Sequence, residues 1–370
     1  MPDPQEDFKA RAGRYSTEKY TLEIIDTVYT LILLLFFLFS GASKAWEEIV
    51  TRAIPSRFFN IPIYLFSLLI LYYLLTLPLN LYRSYYLEHK FSLSTQRLSG
   101  WFLDQLKSGI IAYIMGLIIT GAFYYILGVY KSTWWLLVSL FWIIFSLIMA
   151  KVFPLIIIPL FFKYKELSDE GLKERILRLA DKMQVKILEC FEIDFSKKTL
   201  KANAAFVGWG KTRRVILADT LKDKYSLDEI EVILAHEFAH YRLKHLLKFI
   251  LVNSAATVVS FYFIYIHSAG VLNRLGLRSL SELSSLPLIF LYLMAFGIIT
   301  QPLANYLSRV MERNADFMAL TVTQKKEAFI SMMDKLSLQN LADRKPPALI
   351  KFFFFDHPPI DERIQLAKSL

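Results

Sequence analysis

Residues 226–267 read SLDEIEVILAHEFAHYRLKHLLKFILVNSAATVVSFYFIYIH, and two patterns meet inside them. The first half returns to helical period and contains HEFAHYRLKH, in which His236 and His240 are four apart and Glu237 follows the first histidine. Four residues are about one helical turn, so both imidazoles point to the same side and can hold one Zn²⁺. Glu237, roughly 100° around the helix, reaches a water at that metal. Ser226, followed by Leu227, Asp228 and Glu229, is a capping candidate at the start of this helix. The plain alternative is a polar helix face with no metal. From residue 247 the polar character ends, and 247–267 is an apolar run close to the ~20 residues that cross a bilayer.

Comparable runs cover residues 27–40, 61–81, 109–130, 133–162 and 286–307, which makes six clear segments. The run 133–162 contains Lys151, Pro154 and Pro159 and reads as one long tilted helix or as two shorter crossings, giving six spans or seven. The whole chain fits this picture: of its 370 residues 55% are hydrophobic and 15% aromatic, which excludes disorder and argues against an ordinary soluble enzyme. The start MPDPQEDFKARAGRYSTEKY mixes four acids with its bases, unlike a cleaved secretory signal, so the first apolar run is expected to stay as a span.

The formal charge of +10 need not imply nucleic acid, because Lys and Arg gather in cytoplasmic loops of membrane proteins and no nucleic-acid-binding platform is visible. With six crossings, the N-terminus, loop 82–108, residues 163–246 and residues 304–370 share one side. The last two hold 17 and 10 basic residues, which assigns that side to the cytosol. The expected fold is therefore a polytopic α-helical membrane protein with a discontinuous cytosolic α+β zinc metalloprotease domain. Its parts are membrane helices and loops over 1–162, a first protease half over 163–246, two further membrane helices over 247–307, and a second protease half over 308–370. In the first half GLKERILRLADKMQV reads as an amphipathic helix, and ILECFEIDF and RRVILADTL read as strands.

Cys190 is the only cysteine, so an intrachain disulfide and a cysteine-based metal site are both excluded. A hydrolytic zinc needs a third protein ligand and an open position, and that ligand must be His, Asp or Glu. The best candidate is Glu312 in NYLSRVMERNADFMAL, on a helix expected to emerge from the last span. Asp316 lies four residues further, placed to accept from the other ring nitrogen of a ligand histidine. The competing reading is a solvated acidic face partnered by Arg309 and Arg313.

These motifs resemble the type I CAAX prenyl proteases, integral-membrane zinc endopeptidases of the gluzincin class, and the resemblance covers most of the chain. HEFAHYRLKH matches the family's metal motif, SRVMERNAD its Ser-Arg-x-x-Glu-x-x-Ala-Asp pattern, and ANAAFVGWGKTRRVILADTL its Asn-Ala-x-x-x-Gly stretch. The loop LPLNLYRSYYLEHKFSLSTQRLSGWFLDQLK and the closing HPPIDERIQ are similar to the family as well. The resemblance implies that His236, His240 and Glu312 hold one Zn²⁺ per chain and that Glu237 is the base. It further implies that Asn203 and His357 face the substrate, with Asp316 and Arg363 standing behind the metal. Two departures stand out: the family's Asn-Ala-Tyr has become Asn203-Ala204-Ala205-Phe206, and its seven membrane helices exceed six.

The expected activity is peptide hydrolysis near the membrane by zinc-activated water, on the C-termini of prenylated CAAX proteins as the resemblance implies. The expected partners are such a peptide or protein C-terminus and the lipid bilayer. The terminus AKSL has no dilysine retrieval signal, which leaves a bacterial or archaeal inner membrane beside the endoplasmic reticulum. A quality-control protease acting on non-prenylated membrane substrates is the alternative within the class. A noncatalytic zinc scaffold is the alternative outside it, although structural zinc fills four protein ligands and only three are found here. A transporter would show repeated halves, which are not visible. His245, five beyond His240, is expected off the ligand face as a structural or interfacial residue. His89 and His267 are expected at interfaces, Lys151 and Asn253 against a chamber, with Lys151 alternatively snorkelling or marking a hairpin between two short spans, and 352–355 as an apolar anchor.

Overall fold

The computed structural model describes residues 4–54, 56–208 and 213–370; residues 209–212, within the Asn-Ala-x-x-x-Gly stretch and its continuation, lie outside the described residues. Helix α1 (Pro4–Phe39) is a single rod, so the polar start and the first apolar run are one element. Gly41, at φ +78°, turns the chain into the amphipathic α2 (Ala42–Ala53), a conformation that a side chain would strain. Helix α3 (Arg57–Leu81) passes through a π-turn at Tyr82–Tyr86 into the short α4 (Leu87–Lys90), and α5 (Leu98–Val129) follows.

Helix α6 (Trp134–Val152) likewise continues through a π-turn at Phe153–Ile157 into α7 (Ile158–Phe161). Pro154 removes a backbone donor there, and the helix widens by one residue instead of ending. The run 133–162 is thus one interrupted rod. Six helices among the described residues are long and apolar enough to cross a membrane: Phe8–Phe39, Phe58–Lys90, Leu98–Val129, Trp134–Phe161, His245–Arg274 and Leu283–Thr323.

The polar part begins with β1 (Tyr164–Glu166), α8 (Glu170–Lys182), β2 (Glu189–Ile193), β3 (Ala204–Val207) and β4 (Arg214–Ala218). The strands form a four-stranded sheet in the order β1-β2-β4-β3, with β2 and β4 parallel and the outer pairs antiparallel. Both strands read from the sequence are present, β4 giving way after Ala218 to α9 (Asp219–Lys222); β1 and β3 were not legible, being three and four residues long. Helix α10 (Leu227–Arg242) starts with the expected capping box, Ser226 accepting from Glu229 N–H and the Glu229 carboxylate from Ser226 N–H.

After α10 come α11 (His245–Arg274), α12 (Leu286–Thr323), α13 (Lys326–Asn340), α14 (Ala348–Phe354) and α15 (Ile360–Ser369). Among the described residues, the two largest apolar cores lie apart. One joins α8, β4, α10, α12 and α13 through Ile176, Val215, Phe238, Ala315 and Phe329. The other lies among the membrane helices around Tyr64, Phe123, Trp134, Ile264 and Leu288. Helix α12 belongs to both. The loop before α5 also grips the polar part: Leu200 N–H donates to Leu93 O and Thr95 N–H to Lys198 O, while Lys201 pairs with Glu88 at 2.7 Å. These bonds fix the chain immediately before Asn203. His89, expected at an interface, bridges the carbonyls of Tyr85 and Gln96 inside this loop.

Candidate metal centre

Small residues let the two helices that form the centre approach closely. Ala235 and Ala239 on α10 and Ala315 and Ala319 on α12 are fully buried in one core. His236 and His240 then face Glu312 across the contact. The two Nε2 atoms lie 3.0 Å apart, Glu312 Oε2 is 3.2 Å from His236, and Glu312 Oε1 is 3.2 Å from His240. Among the described residues, Glu312 Oε2 is buried without a hydrogen bond, its nearest polar neighbour being His236 Nε2.

A tetrahedral zinc with bonds of about 2.0–2.2 Å keeps its ligand atoms roughly 3.3 Å apart. The two imidazole nitrogens, and each of them with its nearer Glu312 oxygen, lie 3.0–3.2 Å apart, close to that spacing, and one ligand atom from each residue falls within 4.8 Å of the others, so a cation among them would satisfy the buried acceptor. The electrostatics agree. Burial opposes charge on His236, yet Asp316 and Glu312 outweigh it and raise the imidazole to about 9, so the pocket favours positive charge.

Asp316 sits one turn beyond Glu312 on α12, fully buried, with Oδ1 2.8 Å from His236 Nδ1. Arg363, brought in by α15, donates to both of its oxygens, Nε to Oδ2 at 2.7 Å and Nη2 to Oδ1 at 2.5 Å. A bidentate pair of this kind stabilises a carboxylate that would otherwise be costly to bury. The solvated acidic face is not what is found. Arg309 donates to the carbonyls of Lys351 and Phe355, and Arg313 lies 3.9 Å from Glu362.

His357 is half exposed, its Nε2 3.5 Å from Glu312 Oε1 and its Nδ1 2.8 Å from Asp356, which raises its pKa. Glu237 faces the same region, and burial raises its carboxyl above the usual range. Asn203 stands apart from the cluster. Its carbonyl accepts from Ala218 N–H at the start of β3, and the residue is exposed at a cavity of about 530 Å³ with Ala204, Ala205, Phe153 and Phe162.

Three contributors escape the sequence reading. Asn305 and Arg309 bond the backbone of α14 and the turn after it, which leads into His357. Their signal was present: 305, 309, 312 and 316 recur at helical spacing along one stripe. The third is His245, expected off the ligand face; its Nδ1 lies 3.0 Å from His240 Nδ1 and its ring is buried.

Comparison with known proteins agrees with this architecture. Residues 4–163 match the family model described as the CAAX prenyl protease N-terminal domain with five membrane helices, and residues 166–370 match peptidase family M48. Four candidate spans fall inside the first stretch here. The chain is 31% identical to the uncharacterized metalloprotease YhfN of Bacillus subtilis, over 97% of this chain and 85% of that protein. It is 27% identical to CAAX prenyl protease 1 of Saccharomyces cerevisiae, over 96% and 84% respectively. The crystal structure of S. mikatae Ste24p shares the fold, with a TM-score of 0.89 at 24% identity over 99% of this chain and 91% of that one. The chain belongs to peptidase family M48, as a zinc-dependent multi-pass membrane metalloprotease of the CAAX prenyl protease type.

Proposed function

We propose that His236, His240 and Glu312 are the zinc ligands and that the protein hydrolyses a peptide bond close to the membrane surface, near the C-terminus of a prenylated CAAX substrate. The observation that supports this best is the continuity of α12, which runs from the membrane core at Leu288 to Glu312 and Asp316 without a break. A site rigidly attached to a span meets substrates held at the bilayer. The prenylated substrate follows the names of the yeast and plant relatives, CAAX prenyl protease 1 and its homolog.

Zinc at this position supplies Lewis-acid polarisation of a water and of the scissile carbonyl. Glu237 takes the proton from the attacking water and passes it to the leaving amine, and its burial suits a group that must accept a proton and then release it. His357, with Nδ1–H turned to Asp356, offers Nε2–H to the oxyanion as it forms. Asp316, with Oδ1 2.8 Å from His236 Nδ1, is placed to hold the tautomer of His236, and Arg363 holds Asp316 in place.

The substrate backbone extends along β3. Pairing of Asn203 O with Ala218 N–H turns the backbone groups of Ala204 and Phe206 toward the open edge of the sheet. Phe206 packs on Phe238 and Tyr241, so that edge runs beside the histidine helix, where an added strand finds partners. Asn203, at the start of this edge, orients the peptide with its amide.

The two polar segments face the cytosol, following the basic excess. The test of substrate class is cleavage of one CAAX peptide with and without its prenyl group, by zinc-loaded wild type and by Glu237→Gln. Faster cleavage of the prenylated form by wild type alone is expected. Equal rates on both forms would move the reading to non-prenylated membrane substrates, and no cleavage of either would end it.

A further inference from the structure

We propose that His245 is a positioning residue of the metal centre, accepting a hydrogen bond from His240 and so fixing the tautomer and ring angle with which His240 presents Nε2. This rests on the reading that His240 is a metal ligand through Nε2.

In an uninterrupted helix His245 would stand about 140° from His240. The chain avoids this at Lys244, which adopts the left-handed conformation at φ +54°, ends α10 and starts α11 in a new direction. That turn, unfavourable for a side chain with a Cβ, brings the first residue of a membrane span back against the ligand. The His240 and His245 rings meet edge to face at 77°, with their Nδ1 atoms 3.0 Å apart.

Proton placement follows from the contacts. His240 Nε2 points at His236 and Glu312, so when a cation takes its lone pair the single ring proton sits on Nδ1. That N–H needs an acceptor, and the neighbour at hydrogen-bond distance is His245 Nδ1. His245 must then be neutral, with its own proton on Nε2. Among the described residues, Nε2 is buried without a hydrogen-bond partner. A purely structural role does not explain an imidazole with one nitrogen unsatisfied in the interior, because an apolar side chain would fill the space without that penalty. The two ligand histidines thus have different supports: the Asp316 carboxylate behind His236 and a neutral imidazole behind His240.

The experiment measures zinc affinity by chelator competition on the purified full chain in lipid nanodiscs, with the thermal midpoint of the metal-free form measured in parallel. His245→Leu and His245→Ala remove the acceptor. His245→Asn retains one near the Nδ1 position. Zinc affinity should fall about 10–100-fold in the Leu and Ala variants and stay within about threefold of wild type in the Asn variant. The metal-free midpoint of His245→Leu should match or exceed that of wild type. Wild-type affinity in the Leu or Ala variant would overturn the proposal. So would a loss in the Asn variant equal to theirs. His240→Ala, run alongside, separates the two readings: wild-type zinc affinity there would refute the assignment of His240 as a ligand, whatever His245 does.

Discussion

The two ends of α12 are built to different rules, although one helix of 38 residues joins them. Around Leu286–Thr300 the helix packs by shape, with Leu286, Leu288 and Ile289 buried in the membrane core and the Thr300 hydroxyl bonded to its own backbone at Phe296. From Asn305 onward the same helix packs by charge and hydrogen bonding, each turn carrying one polar group with an assigned partner: Asn305 with Phe353 O, Arg309 with Phe355 O, Glu312 with the histidines, Asp316 with Arg363. Apolar packing at one end spreads its energy over many weak contacts, so single changes there act on stability. The polar end concentrates its energy in a few pairs, so single changes there act on the metal and the reaction.

Replacement of a proposed ligand tests the polar end most severely. His236→Ala, His240→Ala and Glu312→Ala should each lower zinc occupancy and reduce peptide cleavage by at least about 100-fold. Full affinity in Glu312→Ala, measured by metal analysis after dialysis, would move the third ligand elsewhere. Asp316→Asn should weaken zinc retention by ~10–100-fold and leave a folded, partly active protein. Zinc affinity and activity both equal to wild type would make Asp316 an ordinary buried carboxylate. Complete metal loss would make it a ligand.

Leu288→Ala sharpens the contrast from the other end. It should lower stability by about 2–5 kcal/mol in a denaturation series while zinc affinity stays at the wild-type value. A matching loss of zinc would mean that the two ends are not separable. The smallest effect expected is on labelling: cysteines replacing Lys222 and Lys345 should react from the same side of sealed vesicles without loss of activity, since both side chains are surface-exposed. Reaction from opposite sides would contradict one metal site shared by both segments.

The contrast also explains what could be read from the sequence. Apolar runs announce spans by length alone, and all six appear as helices. HEFAHYRLKH and the Glu312–Asp316 spacing were equally legible, because helical period alone places those side chains on shared faces. Illegible features depend on where the chain bends. The turn at Lys244 has no Gly or Asn to mark it, so spacing alone puts His245 off the ligand face. Arg309 has a role in the sequence only under the competing reading, as a partner of its acidic neighbours, because nothing local shows that α14, forty residues later, brings two carbonyls to it. The edge strand β3, at four residues, is too short for period-2 alternation to stand out.

The central claim is that one zinc is held by residues from two segments separated by two spans, with Glu237 moving the proton and taking no part in coordination. Metal content and peptide cleavage of purified Glu237→Gln beside wild type test it most directly. The account predicts one zinc per chain in both proteins and cleavage reduced by about 10²–10⁴-fold in the variant. Loss of zinc from Glu237→Gln, or cleavage at the wild-type rate with zinc retained, would contradict it.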